Sequence, residues 1–427
     1  MVIHTVRPGD TVWRLARQYG VSASRIISDN GIRNPQQLPI GQALIILIPE
    51  LTYTVQPGDT LGTIAARFSV PEIVLLQNNP ELIFSSYLMA GQTIVIHFQE
   101  PKRREVFING YAYPYIRRDI LLRSLPYLTY LTIFGYGFTE TGELIPIDDQ
   151  AMINLAYEYR AAPVMLLSSI TENGNFSEQR ASLLFRDIPL QDKLLDQIVA
   201  VMKEKGYLGL DIDFEFVNPE DAGNFQNFLR RSIERMHAEG FFVNVDLAPK
   251  SSAGQAGLLY ESHDYAAIGA LADTVLLMTY EWGYTYGPPM AVAPLNQGRR
   301  VIEYGVSAIP AEKILMGLPN YGYDWILPFE RGITRATAIG NEYAVEIAQR
   351  NNVPIQFDNT AYSPTFEYFG NANRNHVVWF EDARSVEGKF NLMDEFSLRG
   401  GGYWNVMRPF AQNWAFLSAR YSIGKIV

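Results

Sequence analysis

One short segment of the sequence carries three carboxylates at alternate positions. Asp211, Asp213 and Glu215 lie within residues 208–216, and apolar residues separate them. If the segment is a β-strand, alternate side chains point to opposite faces, so the three acids form one row with neighbours about 6–7 Å apart. Like charges this close cannot all ionise easily, so at least one pKa must rise. Such a row is typical of general acid–base chemistry.

Two other interpretations of the acid row are a solvent-exposed strand and a metal site. The opposite face of the segment is entirely apolar, and parallel strands are buried on both faces, which argues against exposure. A metal site built from oxygen ligands stays open, although none of the five histidines lies near the segment. We expect the row to be catalytic and to need no metal and no cofactor.

The elements that must position this row are indicated by the pattern after Pro101. Short β-branched or aromatic runs alternate there with longer segments of helical period, which predicts βα units and a parallel sheet. The predicted strands are 106–111, 131–136, 164–168, 208–214, 242–247, 274–279, 314–318 and 401–405. Eight strands within residues 104–427 predict a TIM (β/α)8 barrel of the α/β class, with a small insertion near 340–385. The acids would then lie at the C-terminal end of the fourth strand, where barrels carry their active sites.

An internal repeat precedes the predicted barrel. The run from Ile3 to Tyr19 recurs from Thr52 to Phe68, and each copy continues through an Asn to a Gly-Gln pair and a closing apolar run. Pro-Gly-Asp predicts a turn, and the Asp or the Thr after it can cap the first helix. Apolar residues at helical spacing follow. We therefore expect two small βααβ domains, at residues 2–48 and 51–98.

Both copies resemble the LysM domain over most of their length. That family binds N-acetylglucosamine-containing glycans in a shallow groove beside the Pro-Gly-Asp-Thr turn and the loop before the closing strand. The resemblance implies glycan contacts from Gly9, Asp10, Thr11 and Asn30 in the first copy and from Gly58, Asp59, Thr60 and Asn78 in the second. These residues could instead only build the fold, and for Gly9 and Gly58 we favour that interpretation.

The acid row resembles the Asp-x-x-Asp-x-Asp-x-Glu signature of glycoside hydrolase family 18. Asp211, Asp213 and Glu215 match its last three acids, and Leu208 replaces the first. We expect activity to survive, because position 208 would belong to the apolar row of the strand. The resemblance implies retaining hydrolysis assisted by the substrate's acetamido group. Glu215 would be the acid/base, Asp213 would orient the acetamido group, and Asp211 would share a proton with Asp213.

Other residues of the predicted cleft follow from the same resemblance. Residues 276–283 resemble the family's sixth-strand motif, in which Tyr280 would donate to the acetamido carbonyl. Glu281 stands where a shorter side chain is usual and is expected to contact a sugar hydroxyl. Trp404 follows a glycine run and would form the floor of the cleaved subsite. Further substrate contacts are expected from Asn109, Tyr111 and Trp282, with core packing as an equal alternative for Trp282.

The composition excludes several classes of function. A net charge of -10 with scattered basic residues argues against a nucleic-acid-binding protein. The absence of cysteine excludes disulfides and thiolate chemistry. No apolar stretch reaches the ~18–20 residues of a membrane span, so no membrane partner is expected. The chain opens without a signal-peptide pattern.

Together these features predict a monomeric N-acetylglucosaminidase that acts on peptidoglycan or another N-acetylglucosamine-containing polymer. Two LysM copies before a compact barrel are similar to the germination hydrolases of spore-forming bacteria, which implies a place at the spore coat, cortex or cell wall. A muramic lactam has no free acetamido arm, so N-acetylglucosamine is the expected site of cleavage. A chitinase and a non-catalytic glycan-binding coat protein are the alternatives.

Overall fold

The computed structural model describes residues 1–85, 87–370 and 374–427. Each N-terminal repeat has the predicted βααβ order, and its two strands pair antiparallel. The first repeat consists of β1 (Val2–Thr5), α1 (Val12–Tyr19), α2 (Ala23–Asp29) and β2 (Ala43–Ile46). The second consists of β3 (Pro49–Thr54), α3 (Leu61–Phe68), α4 (Glu72–Asn78) and β4 (Thr93–Phe98).

The residues of the repeated turn have separate structural tasks. Thr11 and Thr60 cap α1 and α3, because their hydroxyls accept the backbone N–H three residues later. Asp10 and Asp59 instead close the turn: each accepts the backbone N–H of the residue three positions earlier, at 2.8 Å. Of the two predicted capping residues, Thr is therefore the one that caps.

The rest of the chain alternates between strands and helices. In chain order its elements are β5 (Glu105–Ala112), α5 (Arg118–Ser124), β6 (Tyr130–Phe138), β7 (Leu144–Ile145), α6 (Gln150–Glu158), β8 (Ala162–Ser168), α7 (Glu178–Arg186), α8 (Ile188–Lys205), β9 (Gly209–Asp213), α9 (Ala222–Ala238), β10 (Phe242–Leu247), α10 (Tyr265–Leu271), β11 (Thr274–Leu277), α11 (Leu295–Ala308), β12 (Ile314–Pro319), β13 (Gly322–Ile326), β14 (Thr337–Ile339), α12 (Asn341–Arg350), β15 (Gln356–Asp358), β16 (Ser363–Phe369), β17 (Asn375–Trp379), α13 (Ala383–Glu395), β18 (Gly400–Trp404), α14 (Ala411–Arg420) and β19 (Ser422–Ile423). Within the described ranges, no helix is both long and apolar enough to cross a membrane.

Eight of these strands close the predicted barrel. β5, β6, β8, β9, β10, β11, β12 and β18 pair in parallel in that order, and β18 pairs with β5. All eight predicted strands are present, with bounds that differ by a few residues. The chain thus has the expected α/β class and TIM-barrel architecture.

A second lobe interrupts the barrel between β12 and α13. Its antiparallel sheet has the order β14-β13-β17-β16-β15, and α12 packs against it through Ala344, Ile347 and Ala348. The lobe begins at Gly322 rather than near residue 340. The difference arises because the residue types of β13, which include Gly, Tyr, Asp and Trp, suit a loop as well as a strand.

The lumen of the barrel is plugged at its N-terminal end by aromatic side chains. Tyr130 packs against Phe107 and Phe242, with ring centroids 6.5 and 5.3 Å away. Gly209 leaves room for the plug, since a Cβ there would lie 2.5 Å from the Phe242 ring. Leu208 lies just before β9 and packs against this plug. The prediction that it belongs to the outward apolar row is therefore wrong, although it does lie at the opposite end of the strand from the catalytic end.

Candidate active site

The acid row enters the lumen from β9. Asp211 and Asp213 lie in the strand and are buried, whereas Glu215 follows the strand and is half-buried. Asn244 of β10 donates to Asp211 Oδ1 at 2.8 Å, and the Thr132 hydroxyl of β6 lies 3.4 Å from Asp211 Oδ2. The row therefore points into the barrel, as its alternation predicts. Phe216, at the end of the predicted apolar row, is instead exposed.

Asp246 of β10 adds a fourth acid to the row. Its Oδ1 accepts from the Tyr111 hydroxyl at 2.8 Å and from Asn244 Nδ2 at 3.0 Å, so Asn244 bridges Asp246 and Asp211. The sequence signal for Asp246 is the alternation of polar and apolar residues along β10. Because burial disfavours a charged carboxylate, the pKa of Asp211 rises to about 6 despite the hydrogen bond from Asn244. Burial and the charges of Asp211 and Asp213 raise the pKa of Asp246 well above its usual range.

The two residues expected to do the chemistry also hold their protons unusually tightly. Burial raises the pKa of Asp213 well above its usual range, and the charges of Glu215 and Asp211 raise it further. Burial raises the pKa of Glu215 as well, with the charge of Glu281 as a second cause. A general acid must be protonated before it can donate, so the raised pKa of Glu215 favours its role as the acid.

Asp213 also has an unused acceptor. Its Oδ1 is buried and has no hydrogen-bond partner among the described residues. Leaving a buried polar atom unpaired costs about 1–3 kcal/mol, and more for a charged group. A buried acceptor of this kind beside Glu215 suits a donor that arrives with a ligand.

Aromatic side chains form the walls around the acids. Trp404 is half-buried at the end of β18, and its ring centroid lies 5.3 Å from Phe134, 5.9 Å from Tyr111 and 6.0 Å from Tyr113. Tyr280, just beyond β11, is buried, and its pKa rises because of burial and the carboxylates around it. The Trp404 and Tyr280 positions therefore border the same chamber as the acid row. Phe134 and Tyr113 are wall residues that the sequence analysis missed.

Glu281 faces the cleft from a left-handed backbone conformation, with φ of 66°. Its carboxylate accepts hydrogen bonds from Tyr321 and from Tyr323, the latter at 3.1 Å. Enclosure raises the pKa of Glu281, and the two phenol hydrogen bonds oppose that rise. The carboxylate is thus held by the β13 segment of the second lobe and can act on Glu215 by its charge.

Two predicted substrate contacts, Asn109 and Tyr111, are buried, and a third, Trp282, is half-buried. Asn109 accepts from the Thr132 hydroxyl at 2.9 Å. Tyr111 is buried, and its hydroxyl is bonded to Asp246. Trp282 packs against the large core of the barrel. We therefore replace the contact interpretation by supporting roles for Asn109 and Tyr111, and the packing of Trp282 favours its core alternative.

The asparagines of the two repeats are also structural. Asn30 Nδ2 donates to the carbonyls of Ile26 and Ile45 at 2.8 Å, which ties α2 to β2. The residue that makes the same bonds in the second repeat is Asn79, not Asn78. Asn78 is buried as well and donates to the carbonyl of Ile96 at 2.8 Å. Neither Asn30 nor Asn78 is therefore open to a glycan. The other predicted groove residues are exposed or half-buried: Gly9, Asp10, Thr11, Gly58, Asp59 and Thr60.

A closed parallel barrel with a carboxyl chamber at the C-terminal end of its fourth strand defines a hydrolase that works by acid–base chemistry. The family model of the glycosyl hydrolases family 18 matches residues 133–408, and the LysM domain model matches residues 4–47 and 53–97. The chain belongs to glycosyl hydrolases family 18. It is a glycosidase that carries two LysM domains ahead of its barrel.

Similar proteins extend over the whole chain. A cortical fragment-lytic enzyme of Bacillus subtilis is 39% identical, and the match covers 100% of this chain and 99% of that protein. The crystal structure of the spore cortex-lytic enzyme SleL of Bacillus megaterium superposes with a TM-score of 0.84 at 38% identity, over 100% of this chain and 99% of that one. A chitinase from Chromobacterium violaceum matches 74% of this chain and 98% of its own, with a TM-score of 0.68 and 25% identity.

Proposed function

We propose that this protein is an N-acetylglucosaminidase that hydrolyses β-1,4 bonds of peptidoglycan, with spore cortex fragments as its substrate. The observation that carries the proposal is the buried Oδ1 of Asp213 beside Glu215, which has no hydrogen-bond partner in the part of the chain that the structure describes. It offers an acceptor to an amide N–H, which an N-acetylated sugar supplies and a plain glucose unit lacks. The same atom therefore supports both the class of substrate and the role of Asp213.

The reaction proceeds in two steps that need no nucleophile from the protein. Protonated Glu215 donates to the glycosidic oxygen while the substrate's own acetamido oxygen bonds to the anomeric carbon and displaces the leaving sugar. Asp213 accepts the acetamido N–H and offsets the positive charge of the oxazolinium, and Tyr280 donates to the acetamido oxygen. Glu215, now a carboxylate, takes a proton from the water that attacks the anomeric carbon and reopens the ring. Asp211 shares a proton with Asp213, while the Asn244 amide donates to Asp211 Oδ1.

The choice of polymer and location rests on the relatives. The names of the full-length relatives, cortical fragment-lytic enzyme and spore cortex-lytic enzyme, point to peptidoglycan of the spore and to a spore-associated location. Two LysM domains suit an insoluble N-acetylglucosamine-containing polymer. Within cortex, a muramic lactam has no free acetamido arm, so the N-acetylglucosamine unit is the one that can assist its own cleavage.

Glu215→Gln tests the proposal directly. The amide keeps the shape of the side chain but cannot donate a proton, so turnover of reduced muropeptide fragments is expected to fall by about 10²–10⁴-fold, while sedimentation with insoluble peptidoglycan is retained. Products of the wild type are analysed for N-acetylglucosamine at the new reducing end. If the variant cuts as fast as the wild type, or the new end is muramic acid, the proposal fails.

A chitinase is the second candidate, favoured by the likeness to a solved chitinase at 25% identity. The same residues would serve chitin, because every sugar of that polymer carries an acetamido group. Chitin oligomers assayed beside the muropeptides separate the two: a higher kcat/KM on the oligomers assigns the chitinase function. A chain that binds both polymers and cuts neither would be a glycan-binding protein.

A further inference from the structure

The two LysM repeats share one fold but do not present the same surfaces. In each repeat the glycine that ends the second loop donates its N–H to the valine before the Pro-Gly-Asp turn: Gly41 to Val6 at 2.9 Å and Gly91 to Val55 at 2.8 Å. This pair of bonds aligns the repeats residue by residue from the loop through the closing strand. The loop and the turn are thereby neighbours in both copies.

The second loop of the first repeat is bonded to the rest of the enzyme. Gln412 of α14 is buried and donates to Asn30 Oδ1 at 2.9 Å and to the carbonyl of Ala43 at 2.6 Å. The backbone N–H of Ile355 donates to the carbonyl of Ile40 at 2.8 Å. The side chain of Asn30 at the start of this loop and two backbone carbonyls at its end are therefore bonded to the barrel and its second lobe.

Helix α12 of the second lobe holds the middle of the same loop. Gln349 Nε2 donates to the carbonyls of Asn34, at 3.1 Å, and of Gln37. Arg33 pairs with Glu346 at 2.9 Å. The first repeat is thus fixed along the edge that borders the expected groove.

The equivalent glycines, Gly41 and Gly91, differ in how closely other residues approach them. A Cβ at Gly41 would overlap the carbonyl oxygen of Ile355, so the lobe approaches the first repeat as closely as a glycine allows. A Cβ at Gly91 would meet no atom within 4 Å among the described residues. The loop of the second repeat is therefore open where that of the first repeat is covered.

The closing strands differ in the same sense. Ala43, Ile45 and Leu47 are buried and belong to the large core of the barrel. Thr93 and His97, which stand at the positions of Ala43 and Leu47, are exposed. The first repeat is built into the enzyme body by its closing strand as well as by its loop.

The second repeat is attached by its other side and leaves its loop tip in solvent. Gln77 of α4 donates to the carbonyl of Pro126 at 2.8 Å, and the Tyr127 hydroxyl donates to the carbonyl of Gln77 at 3.0 Å. Near the end of its second loop, Tyr87 is 76% exposed and Met89 is 61% exposed. Their counterparts are Gln37, whose carbonyl α12 holds, and Pro39, which is buried.

We propose that the repeats have divided their tasks. The second binds the polymer through the loop tip at Tyr87 and Met89, and the first is a rigid bracket that connects the barrel to the second repeat. The ligand is the N-acetylated glycan strand of the insoluble substrate, whose sugar faces and acetamido methyl groups suit an exposed aromatic ring and a thioether. The inference rests on the proposed function for the identity of that polymer.

The test measures binding without cleavage. Insoluble spore-cortex peptidoglycan is titrated with the chain carrying Glu215→Gln, alone or combined with Tyr87→Ala and Met89→Ala. The double change is expected to weaken the apparent Kd by about tenfold, the effect of losing an anchoring aromatic side chain. Gln37→Ala, at the matched position of the first repeat, is expected to leave Kd unchanged. Thermal unfolding should be the same in all these chains, because Tyr87, Met89 and Gln37 are exposed.

Trp13 of α1 provides a second control on the first repeat, because its aromatic side chain is 46% exposed. Trp13→Ala in the same background should bind like its parent. The inference is overturned if Trp13→Ala or Gln37→Ala weakens binding as much as the double change, or if the double change binds normally. Hydrolysis of soluble muropeptides by the chain with Glu215 intact is measured separately, and its absence would contradict the proposed function but not the division of tasks.

Discussion

Glu281 accepts a hydrogen bond from Tyr323 of the second lobe, and its charge raises the pKa of the acid, Glu215. Tyr321 and Tyr323 favour the ionised form of Glu281 by donating to it, and the negative charge of that form raises the pKa of Glu215. Glu281→Gln removes that charge, so the pKa of Glu215 falls and its carboxylate forms at lower pH. Because the first step needs the protonated acid, the alkaline limb of the profile of kcat/KM against pH should move to lower pH. Rates measured on muropeptides across the pH range test this.

The conservative change Glu281→Asp is the control for geometry. It keeps a negative charge at the site, so the alkaline limb should stay close to that of the wild type even if turnover falls. An alkaline limb that stays in place for Glu281→Gln would show that the charge of Glu281 does not set the proton affinity of Glu215.

At the scale of the elements, the parts of the fold with a regular period were predictable. Eight barrel strands and both βααβ repeats follow from alternation, helical spacing and turn residues. The alternation of acidic and apolar residues along β9 also predicts that Asp211 and Asp213 face the lumen. The burial of Asn109 and Tyr111 was not predictable, because alternation gives a face and not a depth in the barrel. The start of the second lobe was missed since β13 is rich in Tyr, Trp and Gly, which suit a loop equally well.

The ends of β9 and β10 are tied together by one buried imidazole. The N–H of Ala248 donates to His263 Nδ1 at 2.9 Å, so the ring proton lies on Nε2, which donates to the carbonyl of Phe214 at 3.1 Å. Burial lowers the pKa of His263 to about 4, so the ring stays neutral over the working range. Because Phe214 precedes Glu215, we expect His263 to be a positioning residue for the acid.

His263→Ala should therefore lower kcat by about 10- to 100-fold, the effect of a small displacement of a catalytic group, and leave KM almost unchanged. His263→Gln keeps an amide that can donate to the Phe214 carbonyl and should recover part of the loss. Steady-state kinetics on muropeptides, with the folded fraction checked by circular dichroism, give the answer. A rise in KM at constant kcat, or a loss that only follows the unfolded fraction, would assign His263 to general stability.

For the whole molecule, the covered closing strand makes the first repeat part of the barrel's folding unit. Leu47 is buried in the same core as residues of α13 and α14, whereas His97 at the matched position is exposed. Leu47→Ala should cost about 2–5 kcal/mol through lost burial and a residual cavity, and His97→Ala should change stability by less than about 0.5 kcal/mol. If the repeat and the barrel unfold together, Leu47→Ala lowers the temperature at which glycosidase activity is lost by several degrees. Activity that survives to the wild-type temperature, while a separate early transition appears in calorimetry, would mean that the first repeat unfolds by itself and cannot serve as a rigid bracket.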